Sequence, residues 1–137
     1  MRQKRILITA TDHFRLRQVL NSAYAQAADL RTRRDLETEL QRAEIVDSAE
    51  VPPDVVTMNS MVELRDLEED SLDVYTLVYP NRADIADGRL SILSPIGTAI
   101  LGYCAGDVIE WHVPSGIRRV RIEAVTMQPE REGHFQL

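Results

Sequence analysis

Asp29-Leu30-Arg31-Thr32-Arg33-Arg34 sets one carboxylate among three guanidinium groups. Arg31, Arg33 and Arg34 add positive charge that opposes a bound cation, so Asp29 reads as a helix terminator or cap and the arginines as a solvated or partner-facing tip. Ser94-Pro95 carries a different signal. Ser is a preferred N-cap and Pro suits the first helical position, so the pair opens a helix whose exposed N–H groups suit an acceptor on a partner. The other reactive side chains are scattered. His13, His112 and His134 lie far apart, and none has metal-ligand spacing with Cys104. Cys104 follows a short apolar stretch and reads as a buried small hydrophobe. The acidic run from Glu63 to Asp73 reads as a solvated turn. With no Ser/His/Asp constellation, phosphate loop or dinucleotide fingerprint, no catalytic residue, cofactor or metal is expected.

These residues need elements to hold them. Ile6-Leu7-Ile8-Thr9 predicts a short extended segment, with Thr11 or Asp12 capping a helix after it. Leu16, Val19, Leu20, Ala23 and Ala27 recur at helical spacing, and the pattern breaks near Ala28-Asp29-Leu30. A second helix is expected to start at Thr32, with Leu36, Leu40 and Ala43 forming a coiled-coil-like seam that runs on to Val46 or Asp47. The spacing predicts an antiparallel hairpin of two helices, each roughly 16 residues and about 24 Å long. Pro52-Pro53 stops the helical pattern, and everything beyond reads largely as β. Strands are expected at Val55–Met58, Met61–Leu67, Asp73–Tyr79, Leu90–Ser94, Val108–Val113 and Ile117–Val125. One short helix from Pro95 to Gly102 lies over the sheet, and the last two strands pair across Pro114-Ser115-Gly116. The class is α+β, with residues 1–48 a helical hairpin and residues 49–137 an antiparallel β domain.

Composition bounds the function. The chain has 137 residues, 44% apolar and 28% charged, which is globular usage. Aromatics at 5% supply a poor stacking surface for single-stranded nucleic acid. The net charge of -6 conceals an asymmetry. Residues 1–46 hold nine Lys/Arg against six Asp/Glu, and residues 47–137 hold seven against sixteen. The acidic part argues against general affinity for DNA or RNA, because phosphate neutralisation needs clustered cations. One cysteine and no apolar run near 20 residues indicate a cytoplasmic chain with no membrane span.

The block LSILSPIGTAILGYCAGDVIEWHVPSG resembles the C-terminal domain of the bacterial transcript-cleavage factors GreA and GreB. Its marks are a strand, Ser-Pro, an apolar helix, Gly-Asp, a further strand and a Pro-x-Gly turn. DVVTMNS, TLVYP and the terminal QPEREGHFQL resemble the shorter Rnk branch of that family, the regulators of nucleoside diphosphate kinase. The resemblance implies an FKBP-like fold for the C-terminal domain and binding to RNA polymerase at the rim of its secondary channel.

By the same resemblance, Leu93, Ser94, Pro95 and Ile96 are the expected polymerase-docking residues. Leu93 stands where Gre factors commonly carry Asp. In those factors acidic residues of an Asp-Leu-x-Glu tip help hold a polymerase Mg²⁺; here Asp29 is present, but Thr32 occupies the second acidic position. The expected function is therefore a non-enzymatic regulator that competes with Gre-type factors without stimulating cleavage. The alternative is a Gre-like cleavage factor acting through the hairpin tip. Any effect on nucleoside diphosphate kinase would be indirect. A hairpin that closes on itself fits a monomer, and no direct sequence-specific nucleic-acid binding is expected. The FKBP-like fold also raises prolyl isomerase chemistry, for which Trp111, Tyr75, Tyr79, Tyr103 and Phe135 are the available aromatics.

Overall fold

The computed structural model describes residues 5–134. Its order is β1 (Leu7–Thr9), α1 (Ala10–Leu20), α2 (Ala23–Ala27), α3 (Leu30–Arg42), β2 (Glu44–Val46), β3 (Met61–Asp66) and β4 (Ser71–Val78), then β5 (Arg89–Ser91), α4 (Pro95–Ile100), β6 (Val108–Val113) and β7 (Gly116–Met127). Two 3-10 turns, Pro80–Arg82 and Ile85–Asp87, join β4 to β5. None of the described helices is long and apolar enough to cross a membrane.

The helical region departs from the expected pair of long helices. The first breaks at Asn21-Ser22, leaving the short α2, and α1 and α3 are about 17 Å and 20 Å long at 1.5 Å per residue. Thr9, not Thr11 or Asp12, caps α1: its side chain accepts from the Asp12 N–H at 3.1 Å. Asp29 caps α3 by accepting from the Thr32 N–H at 3.3 Å, so that helix starts two residues before the expected Thr32. Its other end also differs. Residues 44–46 are a strand, because Ala43 turns extended and β2 pairs in parallel with β1, Leu7 opposite Glu44. A long-range partner overrides the local helical period there.

The main sheet has five strands in the order β5-β4-β3-β7-β6. All pairs are antiparallel except β4 with β5, which corrects the expectation of an antiparallel sheet throughout. The connection through the two 3-10 turns brings β5 alongside β4 in the same direction. Val62 and Leu64 of β3 alternate inward, as the pattern predicts. On β7 the register shifts twice against β3. Such bulges let Ile122 and Val125, three positions apart, both face the interior. Val55–Met58 is not a strand. Apart from a single bridge between Val55 and Cys104, it is a loop whose apolar side chains are buried.

One apolar core joins the two parts of the chain. It holds Ile6, Ile8, Leu16, Leu36 and Leu40 together with Met58, Val62, Leu77, Ile92, Ile100 and Ile122. The backbone also crosses between them. The Leu7 N–H donates to the Gly102 carbonyl at 3.2 Å, and the Gly102 N–H donates to the Val56 carbonyl at 3.0 Å. Gly102 has φ +84, and a Cβ there would lie 2.8 Å from Ile6 Cβ, so only glycine allows this approach. The Pro52-Pro53 joint is stapled as well. Gln128, fully buried, donates through Nε2 to the Pro52 and Val55 carbonyls, both at 2.8 Å.

Candidate functional site

The start of α4 is set by short-range chemistry. Ser94 Oγ accepts from the Gly97 N–H at 3.1 Å and donates to the Ser91 carbonyl at 2.7 Å. Pro95 occupies the first turn, as expected. Thr98 Oγ1 donates to the Ile92 carbonyl at 2.6 Å, fixing the second turn to the chain before the helix. Gly97 completes the fit: a Cβ there would meet the Ser91 carbonyl oxygen at 2.2 Å. The helix can therefore lie this close to the end of β5 only with glycine at that position. Leu93 and Ile96 are half-buried against the core, Ser94 is half-buried, and Pro95 is exposed.

Above α4 the structure opens a cleft of about 560 Å³. Asp29 and Arg31, at the start of α3, line it, and so does Pro95. Two sets of residues that sequence treats separately thus share one hollow, because α3 packs against α4. Arg33 and Arg34 do not take part. Arg33 lines a different hollow and donates to Gln26 at 3.4 Å, while Arg34 is exposed. Trp111 and Tyr103 supply aromatic walls. Asp35, Glu39 and Glu110 join Asp29 on the lining, so four carboxylates face one guanidinium. Glu39 pairs with Arg42 at 2.8 Å, and Arg42 also donates to the Tyr103 hydroxyl at 2.9 Å. Burial and the nearby Glu39 raise the Tyr103 pKa, so this hydroxyl keeps its proton. The lining combines acidic and apolar side chains, which suits a partner segment carrying cations and an apolar side chain.

The other sequence candidates lie elsewhere. His13 Nε2 bonds the Leu40 carbonyl at 3.0 Å, a contact within the helical region. Cys104 is half-buried rather than buried. Its backbone N–H and its thiol both donate to Asp107 Oδ2, at 2.9 and 3.4 Å, which makes it part of a polar turn. The acidic run is more than a solvated turn. Asp66 pairs with Arg118, Glu68 with Arg119 at 3.4 Å, and Asp70 with Arg65 at 3.1 Å, tying the turn to its neighbouring strands. The aromatics are divided: Trp111 and Tyr103 line the α4 cleft, while Tyr79 lines another. Phe135 falls outside the described residues, as does the side chain of His112. No set of three metal-holding side chains occurs among the described residues.

Asp12, expected as a candidate cap, is instead a buried carboxylate that joins the two parts of the chain. It is 4% exposed. Its carboxylate accepts from the Met58 N–H at 3.0 Å and from the Tyr79 hydroxyl at 3.4 Å. Burial pushes its pKa up to about 6, opposed chiefly by the Met58 hydrogen bond. The available signal was Thr9-x-x-Asp12, whose capping-box spacing marks Thr9 as the cap and Asp12 as the third helical residue.

Comparison with known proteins follows this division of the chain. Residues 51–127 match the family described as transcription elongation factor GreA/GreB, C-terminal, and residues 4–46 match the Rnk N-terminus. The regulator of nucleoside diphosphate kinase of Escherichia coli strain K12 is 40% identical over 103 residues, covering 74% of this chain and 76% of that one. Transcription elongation factor GreA of Alkaliphilus oremlandii is 38% identical over 91 residues, covering 66% of this chain but 57% of that one. A solved structure of a prokaryotic transcription elongation factor GreA/GreB from Nitrosomonas europaea superimposes with a TM-score of 0.73 at 45% identity, covering 90% of this chain and 100% of that one.

Proposed function

The chain belongs to the GreA/GreB transcription elongation factor family, with an N-terminal segment of the Rnk type, and on that footing we propose that it is a non-enzymatic regulator of RNA polymerase. It docks near the secondary channel through Leu93-Ser94-Pro95-Ile96 and the cleft above them. It competes there with Gre-type factors and does not stimulate transcript cleavage. Any effect on nucleoside diphosphate kinase then runs through transcription. The five-stranded sheet with α4 packed on β6 supports an FKBP-like reading of residues 49–137, and α1 with α3 supports a shortened coiled-coil hairpin for residues 1–48. The chain works in the cytoplasm as a monomer.

The observation that carries this reading is the shared cleft. The tip residues Asp29 and Arg31 lie over α4, beside Pro95, instead of projecting away from it. Asp29 is also engaged as the α3 cap, and the buried Thr32 brings no second carboxylate. A single carboxylate already engaged as a cap supports a reading without metal delivery by the tip.

Binding to core RNA polymerase tests the proposal. Wild-type protein should bind saturably, and Ser94→Asp combined with Pro95→Ala should weaken binding by about tenfold or more, equivalent to about 1.4 kcal/mol. Wild-type protein should also inhibit Gre-stimulated RNA shortening in a backtracked complex. Absence of binding ends the proposal, and RNA shortening that depends on Asp29 would replace it with a cleavage factor.

A further inference from the structure

A second cleft, of about 530 Å³, opens between α1, α2 and the 3-10 turn after β4, and shares no lining residue with the α4 cleft. In a chain of net charge -6 it gathers two arginines, Arg15 and Arg82, with two tyrosines, Tyr24 and Tyr79, and two asparagines, Asn59 and Asn81. The backbone that presents them is held firmly. Pro80 opens the turn, the Arg82 N–H donates to the Tyr79 carbonyl at 2.9 Å, and Arg89 Nε donates to the Arg82 carbonyl at 2.8 Å. Asn59 sits at φ 68, and its N–H donates to the Leu77 carbonyl at 2.6 Å. Tyr79 is oriented by its hydroxyl, which donates to Asp12. Tyr24 is 53% exposed, leaving its ring open to a ligand.

This combination is selective. Guanidinium forks match phosphate oxygens, an open tyrosine ring stacks on a base, and asparagine amides offer both donors and acceptors to a base edge. The volume lies within the usual range for a small-molecule site. We propose that this cleft binds a free nucleoside phosphate, with the phosphate on Arg82 and Arg15 and the base against Tyr24. Arg15 also faces Asp12 and Tyr79, so Arg82, which is exposed, supplies the less compensated charge. The proposal is independent of polymerase docking, because it uses none of the same residues.

Isothermal titration of the full chain with ADP, adenosine, inorganic phosphate and a 5′-phosphorylated tetraribonucleotide tests it. ADP should saturate the protein at one site. Adenosine and phosphate alone should each bind about tenfold or more weakly, since each engages half of the cleft. Arg82→Ala should weaken ADP by about tenfold, and Tyr24→Ala by about fivefold or more, the scale of a lost base stack. Both side chains are exposed, so these variants keep the fold. Failure of ADP to saturate, phosphate binding as tightly as ADP, or ADP affinity unchanged in Arg82→Ala each overturns the proposal. Saturation by the tetraribonucleotide without saturation by ADP overturns it in favour of an RNA end.

Discussion

The helical region meets the sheet along two seams of opposite chemistry. On the α3 side Leu36 and Leu40 are fully buried in the core cluster that also holds Ile100 of α4. On the α1 side Leu16 is joined by a buried carboxylate, Asp12, bonded to Met58 and Tyr79 from the β part. The α3 seam draws chiefly on apolar burial, which does not depend on pH, with the Arg42 to Tyr103 hydrogen bond beside it. The polar seam fixes register, because Asp12 must find particular donors, but it carries a group that costs free energy when ionised. One flank thus supplies strength and the other supplies placement.

Truncation on the strong flank should have the largest effect. Leu40→Ala is expected to destabilise the protein by about 2–5 kcal/mol, the range for a leucine removed from a packed core. Urea unfolding measures it, and a loss below about 1 kcal/mol would show that α3 is not held by this seam.

Asp12→Asn sharpens the contrast through pH. The folded protein holds the Asp12 proton up to about pH 6, above the ordinary value of 3.8. A raised folded-state pKa contributes stability that is full below the unfolded value and is lost as pH rises through about 6. The two proteins should therefore be similar near pH 4, with Asn becoming more stable by about 2–3 kcal/mol above pH 7. A stability difference that stays flat from pH 4 to pH 7 would mean that Asp12 is not the titrating member of the seam.

Smaller changes probe the caps beside the α3 seam. Ser94→Ala removes the acceptor for the Gly97 N–H and should cost about 1 kcal/mol. Asp29→Ala should cost about 0.5 kcal/mol, since α3 is anchored further along by Leu36 and Leu40. Thermal melts at one pH compare the two, and a larger loss from Asp29→Ala would place the weak point at the tip.

Several local signals were legible in the sequence, although the Thr9 cap and the break at Asn21-Ser22 were not. Ser94-Pro95 marked the α4 start, Val62 and Leu64 marked an inward strand face, and Pro114-Ser115 marked the hairpin between β6 and β7. Features decided by distant partners were not legible. Glu44–Val46 follows a helical period yet becomes a strand, because β1 recruits it. Val55–Met58 has strand composition but is held as a buried loop by the chain around it. The candidate site divides in the same way. Its individual residues could be named, but their meeting in one cleft depends on α3 packing against α4, which no spacing within either helix encodes. Asp12 looked like a cap because its partners, Met58 and Tyr79, are remote in the chain.

The bond between Leu7 and Gly102 has a consequence for biogenesis. During synthesis β1 emerges from the ribosome well before the glycine on which it rests. Ile6 and Ile8 can meet Leu16, Leu36 and Leu40 early, but their burial is complete only once the turn after α4 exists. Loop closure over such a separation is slow compared with local helix formation. β1 is thus made well before its seat is complete, and a nascent chain stalled before Gly102 would present a sticky apolar segment to whatever chaperone stands nearby.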